Sequence, residues 1–145
     1  MAIDKSGQWW KGSLPEDMDE YIHELSQQHI QAAEFRHSSC QCGSLEFNLR
    51  YDANEGCAVR ICSACGDEQY ICDSEENVSE AEFESWVCVD CGGSNANLGV
   101  GYALRPSNDV QWVYVVSRCC SCGLLGCYAD WKVDYSPSIQ LLERA

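Results

Sequence analysis

Apolar residues fill every second position in several stretches of the chain, a period of two that is typical of β-strands with one buried face. The pattern runs from Leu45 to Tyr51 and again from Leu98 to Leu104. Turn-forming residues at 52–56 and 106–109 follow these stretches and reverse the chain. The strands predicted on this basis are residues 45–51, 57–61, 69–73, 98–104, 110–118 and 127–135.

The last predicted strand alternates so regularly that it also predicts which side chains share a face. The residues expected on one face are Cys127, Ala129, Trp131, Val133 and Tyr135. Ser136 and Pro137 then interrupt the pattern, and a short final helix is predicted within the C-terminal tail.

Before the first strand, residues 14–28 are predicted to form one amphipathic α-helix. Ser13 and Glu16 have the spacing of a capping box, which predicts that the Ser13 side chain caps the first turn. A stripe at helical spacing, which is expected to dock on the strands, is formed by Met18, Tyr21, Ile22 and Leu25.

Pairs of cysteines stand at both ends of the second predicted hairpin. Cys88 and Cys91 precede it, Cys119 and Cys122 follow it, and a glycine comes directly after each pair. A CxxC turn aims two thiolates at one point, and glycine readily adopts the positive φ that ends such a turn. Four thiolates at this spacing predict a closed, structural zinc site.

The first hairpin carries an altered copy of the same pattern. Cys62 and Cys65 follow it with the CxxC spacing, but Cys40 and Cys42 before it are separated by one residue. These four residues are the expected ligands of a second structural zinc ion. His37, three residues before Cys40, is the alternative ligand if the tighter CxC turn cannot deliver both sulfurs.

The remaining four of the twelve cysteines have no such spacing. Cys57 and Cys127 are expected to be buried thiols, since their strand neighbours are apolar. Cys120 could replace one of its neighbours in the second site, and a third metal site from Cys57, Cys72, Cys120 and Cys127 is a further alternative. Disulfides are disfavoured because the N-terminal residues do not resemble a secretory signal, which predicts a reducing cytoplasmic location.

Paired knuckles that flank a hairpin resemble the zinc-ribbon superfamily, here in tandem over residues 40–135. The resemblance implies one three-stranded antiparallel ribbon per metal and a binding role more often than catalysis. The expected fold is therefore a small, metal-stabilised, mainly-β protein with a docked N-terminal helix. The expected segments are an N-terminal part (1–36), a first ribbon (37–73), an acidic linker (74–87), a second ribbon (88–135) and a tail (136–145).

Iron is the alternative metal, because paired CxxC-Gly knuckles also resemble rubredoxin, in which four thiolates hold an electron-transferring iron. The chain lacks the proline found within a rubredoxin knuckle, and its Cys40–Cys42 spacing departs from that pattern. Zinc is therefore the expected ion at both sites.

The formal net charge of −14, from 9 basic and 23 acidic residues, bears on the class of partner. A strongly negative field repels phosphate backbones and favours a basic protein. The expected function is a protein-interaction module, in its narrower form an acidic immunity-type inhibitor that neutralises a basic protein. Residues 73–84, rich in glutamate, are either a solvated linker or an acidic docking surface, and Trp9 and Trp10 either clamp onto the body of the protein or anchor a partner.

A nucleic-acid-binding or transcription-associated zinc ribbon is the alternative function. It requires a local basic patch, for which Arg50, Arg60, Arg105 and Arg118 are the candidates. Catalysis is not expected, because no nucleophile and base can be paired from the sequence. No long apolar stretch predicts a membrane span, and the oligomeric state stays open.

Overall fold

The computed structural model describes residues 3–7 and 9–145, and within them ten β-strands and one α-helix form. The helix α1 covers Asp17–Leu25, and short 3-10 helices cover Ser26–Gln28, Ser74–Glu80 and Ile139–Glu143. The strands are β1 (Ile3–Asp4), β2 (Lys11–Gly12), β3 (Glu34–His37), β4 (Phe47–Asp52), β5 (Cys57–Cys62), β6 (Glu68–Tyr70), β7 (Glu84–Ser85), β8 (Ala96–Leu104), β9 (Val110–Cys119) and β10 (Leu125–Lys132). The mainly-β, antiparallel class predicted from the sequence is confirmed.

Eight of these strands belong to one antiparallel sheet. Its main order is β10-β9-β8-β4-β5-β6, with β3 paired to β8 and β7 paired to β4. The three strands expected for each half of the chain are thus present, and they are joined where Phe47 of β4 pairs with Ala96 of β8. The join makes the two halves one continuous hydrogen-bonded structure.

The strand β8 carries large side chains on one face and glycines on the other, and this difference decides what packs on each face. Leu98, Val100 and Tyr102 enter the main apolar core. The intervening Gly99 and Gly101 lie under other elements: a Cβ on Gly101 would lie 3.1 Å from Ile22 of α1, and one on Gly99 would overlap the ring of Phe35. Glycine here is required by the close approach of α1 and β3 to the sheet.

The helix docks on the sheet through three of the four residues of its predicted apolar stripe, whereas Leu25 is 46% exposed. It covers Asp17–Leu25 and is shorter than the predicted 14–28. Met18 and Ile22 are fully buried, in a second apolar core with Tyr114 and Val116 of β9. The predicted capping role of Ser13 is wrong. The helix begins at Asp17, whose carboxylate accepts the backbone N–H of Leu14 at 3.0 Å.

A β-bulge in β10 reverses one predicted side-chain direction. The register with β9 shifts between Cys127 and Ala129, so that an extra residue, Tyr128, is inserted. Ala129 and Trp131 enter the main core as expected, whereas Cys127 packs on the opposite face, beside the second core. The prediction that Cys127 shares a face with Ala129 is therefore wrong, because the sequence pattern does not show the bulge.

The acidic stretch 73–84 is anchored to the sheet at its start. Asp73 accepts hydrogen bonds from the indole N–H of Trp131 and from the hydroxyl of Tyr135, both at 2.9 Å. A 3-10 helix, Ser74–Glu80, follows, and Trp86 beyond it is buried in the main core. The segment between the halves is thus structured on its inner side, and its glutamates face outward.

No helix within residues 3–7 and 9–145 combines the length and the apolar character needed to cross a membrane.

Candidate metal centres

Four tight turns, each built around a pair of cysteines, hold the candidate ligands. In the turns that begin at Cys62, Cys88 and Cys119, the carbonyl of the first cysteine accepts the N–H of the glycine four residues later, at 2.8–2.9 Å. These glycines, Gly66, Gly92 and Gly123, have φ between 77° and 84°. The positive φ expected for the glycine after each pair is confirmed, and it is what closes the turn.

The CxC turn of the first site is a one-residue-shorter version of the same structure. The carbonyl of Cys40 accepts the N–H of Gly43 at 2.9 Å, and Gly43 has a φ of 93°. The N–H of Cys40 donates to the carbonyl of Ser44, four residues later, at 3.0 Å. In the three longer turns the N–H of the first cysteine donates to the carbonyl five residues later. The shorter spacing therefore still delivers both sulfurs without help from His37.

The structure brings the predicted cysteines together as two sets of four, with the sulfur atoms of each set within 4.8 Å of one another. The closest sulfur pairs are 3.5–3.6 Å apart in the first site and 3.6 Å apart in the second. A tetrahedral ion with metal–sulfur bonds of about 2.3 Å requires sulfurs about 3.8 Å apart. The spacing therefore fits one ion per set, and is too wide for a disulfide. The two sets are Cys40, Cys42, Cys62 and Cys65, and Cys88, Cys91, Cys119 and Cys122.

The turns also favour ionisation of one sulfur in each site. The backbone N–H groups of Cys65 and Ala64 point at the Cys62 sulfur and lower its pKa to about 6. Burial disfavours the Cys119 thiolate, but the backbone N–H groups of Cys122 and Ser121 donate hydrogen bonds to it. These hydrogen bonds outweigh burial and lower the pKa of Cys119 to about 7. Each site thus offers a thiolate near neutral pH, which is the form that binds a metal.

The other sulfurs of each set resist ionisation when no cation lies among them. The N–H of Asp67 favours the Cys65 thiolate, but the sulfurs of Cys40 and Cys62 outweigh it and raise its pKa to about 12. Burial, with the neighbouring Cys88 sulfur, raises the pKa of Cys122 to about 12. Four thiolates so close together therefore need a cation to compensate their charge.

The alternative ligands lie outside both sets. His37 is exposed on β3, edge-on to the ring of Phe35 at 5.0 Å. Cys120 directs its backbone N–H to the carbonyl of Asn95, and burial raises the pKa of its thiol to about 11. Neither residue belongs to a cluster of possible metal ligands.

The remaining cysteines do not form a third site within the part of the chain that the structure describes. Cys57 is fully buried beside the first hairpin turn. Cys72 is also fully buried, with its sulfur 3.4 Å from the Tyr102 hydroxyl, and burial raises its pKa to about 12. The buried thiol expected for Cys57 is confirmed, whereas Cys127 is only partly buried.

The two sites lie at the same end of the sheet, a relation that the sequence does not show. Cys62 pairs with Phe47, Phe47 with Ala96, and Ala96 with Cys119, so one row of paired residues crosses four strands. At the usual spacing between strands, Cys62 and Cys119 are about 14 Å apart.

Polar residues that the sequence analysis does not identify connect the two sites. The Asn95 side-chain oxygen accepts the Ser63 hydroxyl at 2.9 Å and the Asn48 amide at 3.1 Å. The Asn95 backbone carbonyl accepts the N–H of Cys120, the neighbour of the ligand Cys119. Ser63 follows the ligand Cys62, so Asn95 bridges the closing turns of both sites. No local pattern predicts this contact, because its partners are distant in the sequence.

Three of the four arginines considered for a basic patch make separate contacts in different places. Arg118 donates to the carbonyls of Gly12 and Ser13 at 2.7 and 2.9 Å. Arg105 donates to the carbonyl of Val133, at the far end of β8, about 25 Å along the strands from Arg118. Arg60 lies over the ring of Phe47, 4.9 Å from its centre. These arginines serve internal contacts, and Arg105 and Arg118 are too far apart to belong to one patch.

Comparison with known proteins adds no relative: no protein-family model, no curated protein and no solved structure matches this chain. The residues themselves establish a mainly-β protein with two cysteine sets placed to hold metal ions.

Proposed function

We propose that this protein is a non-enzymatic protein-interaction module in which two structural zinc ions hold one end of the sheet, and that it acts in a reducing compartment such as the cytoplasm. The observation that carries the proposal is the pair of closed sets of four cysteines. An ion with four thiolate ligands has no position left for water or substrate, so it serves structure and not Lewis-acid chemistry.

The choice of zinc is supported by the ligand type and by the turns. Tetrahedral four-sulfur sites admit both zinc and iron, and zinc is the usual ion of structural sites. The CxC turn and the absence of a knuckle proline separate the chain from the rubredoxin pattern.

Native mass spectrometry of the purified protein is expected to show two zinc ions per chain in a colourless sample. Denaturing spectra of the same preparation should show the mass of the chain with twelve free thiols, which excludes disulfides. A red protein that contains iron would contradict the choice of zinc, and a metal-free, folded protein would contradict the proposal as a whole.

The charges on the surface support a basic partner. The glutamates of the segment between the halves are all exposed, and they are Glu75, Glu76, Glu80, Glu82 and Glu84. Two lysines, by contrast, are paired within the molecule: Lys5 with Glu24 at 2.8 Å and Lys11 with Asp90 at 2.5 Å. The outer surface is left with an excess of carboxylates, which steer a cationic protein toward it.

Capture with the immobilised, zinc-loaded protein is expected to recover a basic protein from the source cells. Binding should weaken strongly between about 0.1 M and 1 M salt, where the screening length falls from about 10 Å to 3 Å. The matched control is a variant in which Glu75, Glu76 and Glu80 are glutamines, which keeps the shape and removes three charges. Retention of acidic or neutral proteins only, or retention independent of salt, would contradict a basic partner.

A further inference from the structure

An aromatic cleft lies between the N-terminal segment, α1 and the start of β10. Its walls are Trp9, Trp10, Tyr21, Leu25 and Leu125, and its volume is about 280 Å³. Trp10 and Tyr21 meet edge-to-face at 5.8 Å, and the carbonyl of Trp10 accepts the N–H of Leu125 at 2.9 Å. Trp10 therefore clamps the N-terminal segment onto the body of the protein.

Trp9 has a different position from its neighbour. Its side chain is 41% exposed, and Leu25 across the cleft is 46% exposed. A large indole exposed next to an apolar side chain in a concave site is typical of the residues that contribute most to protein–protein binding.

One cationic side chain of the chain itself already binds at this cleft. The Lys5 ammonium lies 4.5 Å from the centre of a Trp10 ring and 2.8 Å from the Glu24 carboxylate. An indole face and a carboxylate together make a site for a cation, through cation–π attraction and an ion pair. The Lys5 contact shows the chemistry that this cleft and its rim accommodate.

The helix that forms one wall of the cleft is acidic. No lysine or arginine occurs between Lys11 and Arg36, and α1 with its N-cap carries five carboxylates. Glu20 and Glu24 lie on the side of the helix next to Tyr21, which lines the cleft, as the helical period of 3.6 requires. The five acidic residues are Glu16, Asp17, Asp19, Glu20 and Glu24.

We infer that this cleft is the docking site for a basic segment of a partner protein, which places one apolar side chain against Trp9 and Leu25 and its flanking lysines or arginines against the carboxylates of α1. The inference rests on the proposed function, since it identifies where the basic partner binds. A second copy of this chain does not fit the same surface, because two chains of net charge −14 would bring like charges together.

The test uses the zinc-loaded full chain and a fluorescent peptide in which arginines flank two leucines. The peptide is expected to bind and to shift the indole N–H signals of Trp9 and Trp10 in NMR spectra. Trp9→Ala should weaken binding about tenfold, because it removes most of the apolar surface that the peptide leucine would cover. Glu20→Gln should weaken it about threefold, and a peptide with glutamates in place of the arginines should not bind.

The control is Glu76→Gln, which removes an equal charge from the exposed segment 74–80, outside the cleft. This variant should bind the arginine peptide within about twofold of the original protein, since one distant exposed charge is largely screened. Metal content measured on every variant confirms that the fold is retained.

The possible outcomes separate the two proposals. If the peptide binds but Trp9→Ala leaves its affinity unchanged, the cleft is not the docking site, while a basic partner remains supported. If Glu76→Gln weakens binding more than Trp9→Ala does, the docking surface is the acidic segment and the inference is wrong. If the zinc-loaded protein binds neither this peptide nor any basic protein, the proposed function fails together with the inference.

Discussion

Replacement of Cys119 by serine is expected to remove one of the two metal ions and to destabilise the protein more than any other single substitution considered. Cys119 is fully buried, ends β9, and lies in the second set of four sulfurs. A structural zinc ion contributes about 10–16 kcal/mol to folding in small peptides, against a total stability of about 5–15 kcal/mol for an ordinary domain. The loss of one thiolate should lower the melting temperature by more than about 10 °C.

The adjacent residue gives a matched control. Cys120 carries the same side chain but lies outside the set, and Cys120→Ser should keep both ions and change stability by less than about 1 kcal/mol. Native mass spectrometry counts the ions, and near-UV circular dichroism follows thermal unfolding. Two bound ions and an unchanged melting temperature in Cys119→Ser would show that the second set is not a metal site.

Replacement of Phe47 by alanine is expected to cost about 3–5 kcal/mol, the usual range for a buried phenylalanine. Phe47 is fully buried and pairs with Cys62 on one side and with Ala96 on the other. Its ring also supports the guanidinium of Arg60, at 4.9 Å. Because this residue joins the two halves of the sheet, its truncation should lower the stability of both halves together.

Urea unfolding followed by tryptophan fluorescence gives the free energy, and amide exchange in β8 and β9 tests the coupling between the halves. The control is Leu45→Ala, two residues earlier, where the side chain is 45% exposed and the change should stay within about 0.5 kcal/mol. Unchanged exchange protection in β8 and β9 of Phe47→Ala would mean that the halves are stable independently of each other.

The candidate metal sites were the part of the molecule most accessible from sequence. Each cysteine turn is closed by hydrogen bonds within six residues and by one glycine of positive φ, so its geometry is encoded locally. Local spacing also showed that Cys40 and Cys42 form a shorter turn. It could not show whether that turn suffices, and only the structure places the alternative ligand His37 on β3 beside Phe35, outside the set of four sulfurs.

The extent of the apolar core cannot be read from the cysteine-rich composition. Leu98, Val100 and Tyr102 are buried with Trp86 and Phe47 in one cluster. The residues that build this core come from both halves and from the segment between them. The cysteine sets and the core therefore support each other, because the closing turn of each set begins at the end of a strand, β5 or β9, that contributes side chains to the core.

The sequence by itself determined six of the strands, the amphipathic helix and the grouping of the cysteines, because these follow from short-range spacing and backbone preference. Only the tertiary structure decided that Phe47 and Ala96 join two hairpin units into one sheet, that a bulge turns Cys127 away from Ala129, and that Asn95 bridges the two sites. The physical reason is that these features depend on contacts between residues far apart in the chain, whose favourable packing no local pattern records.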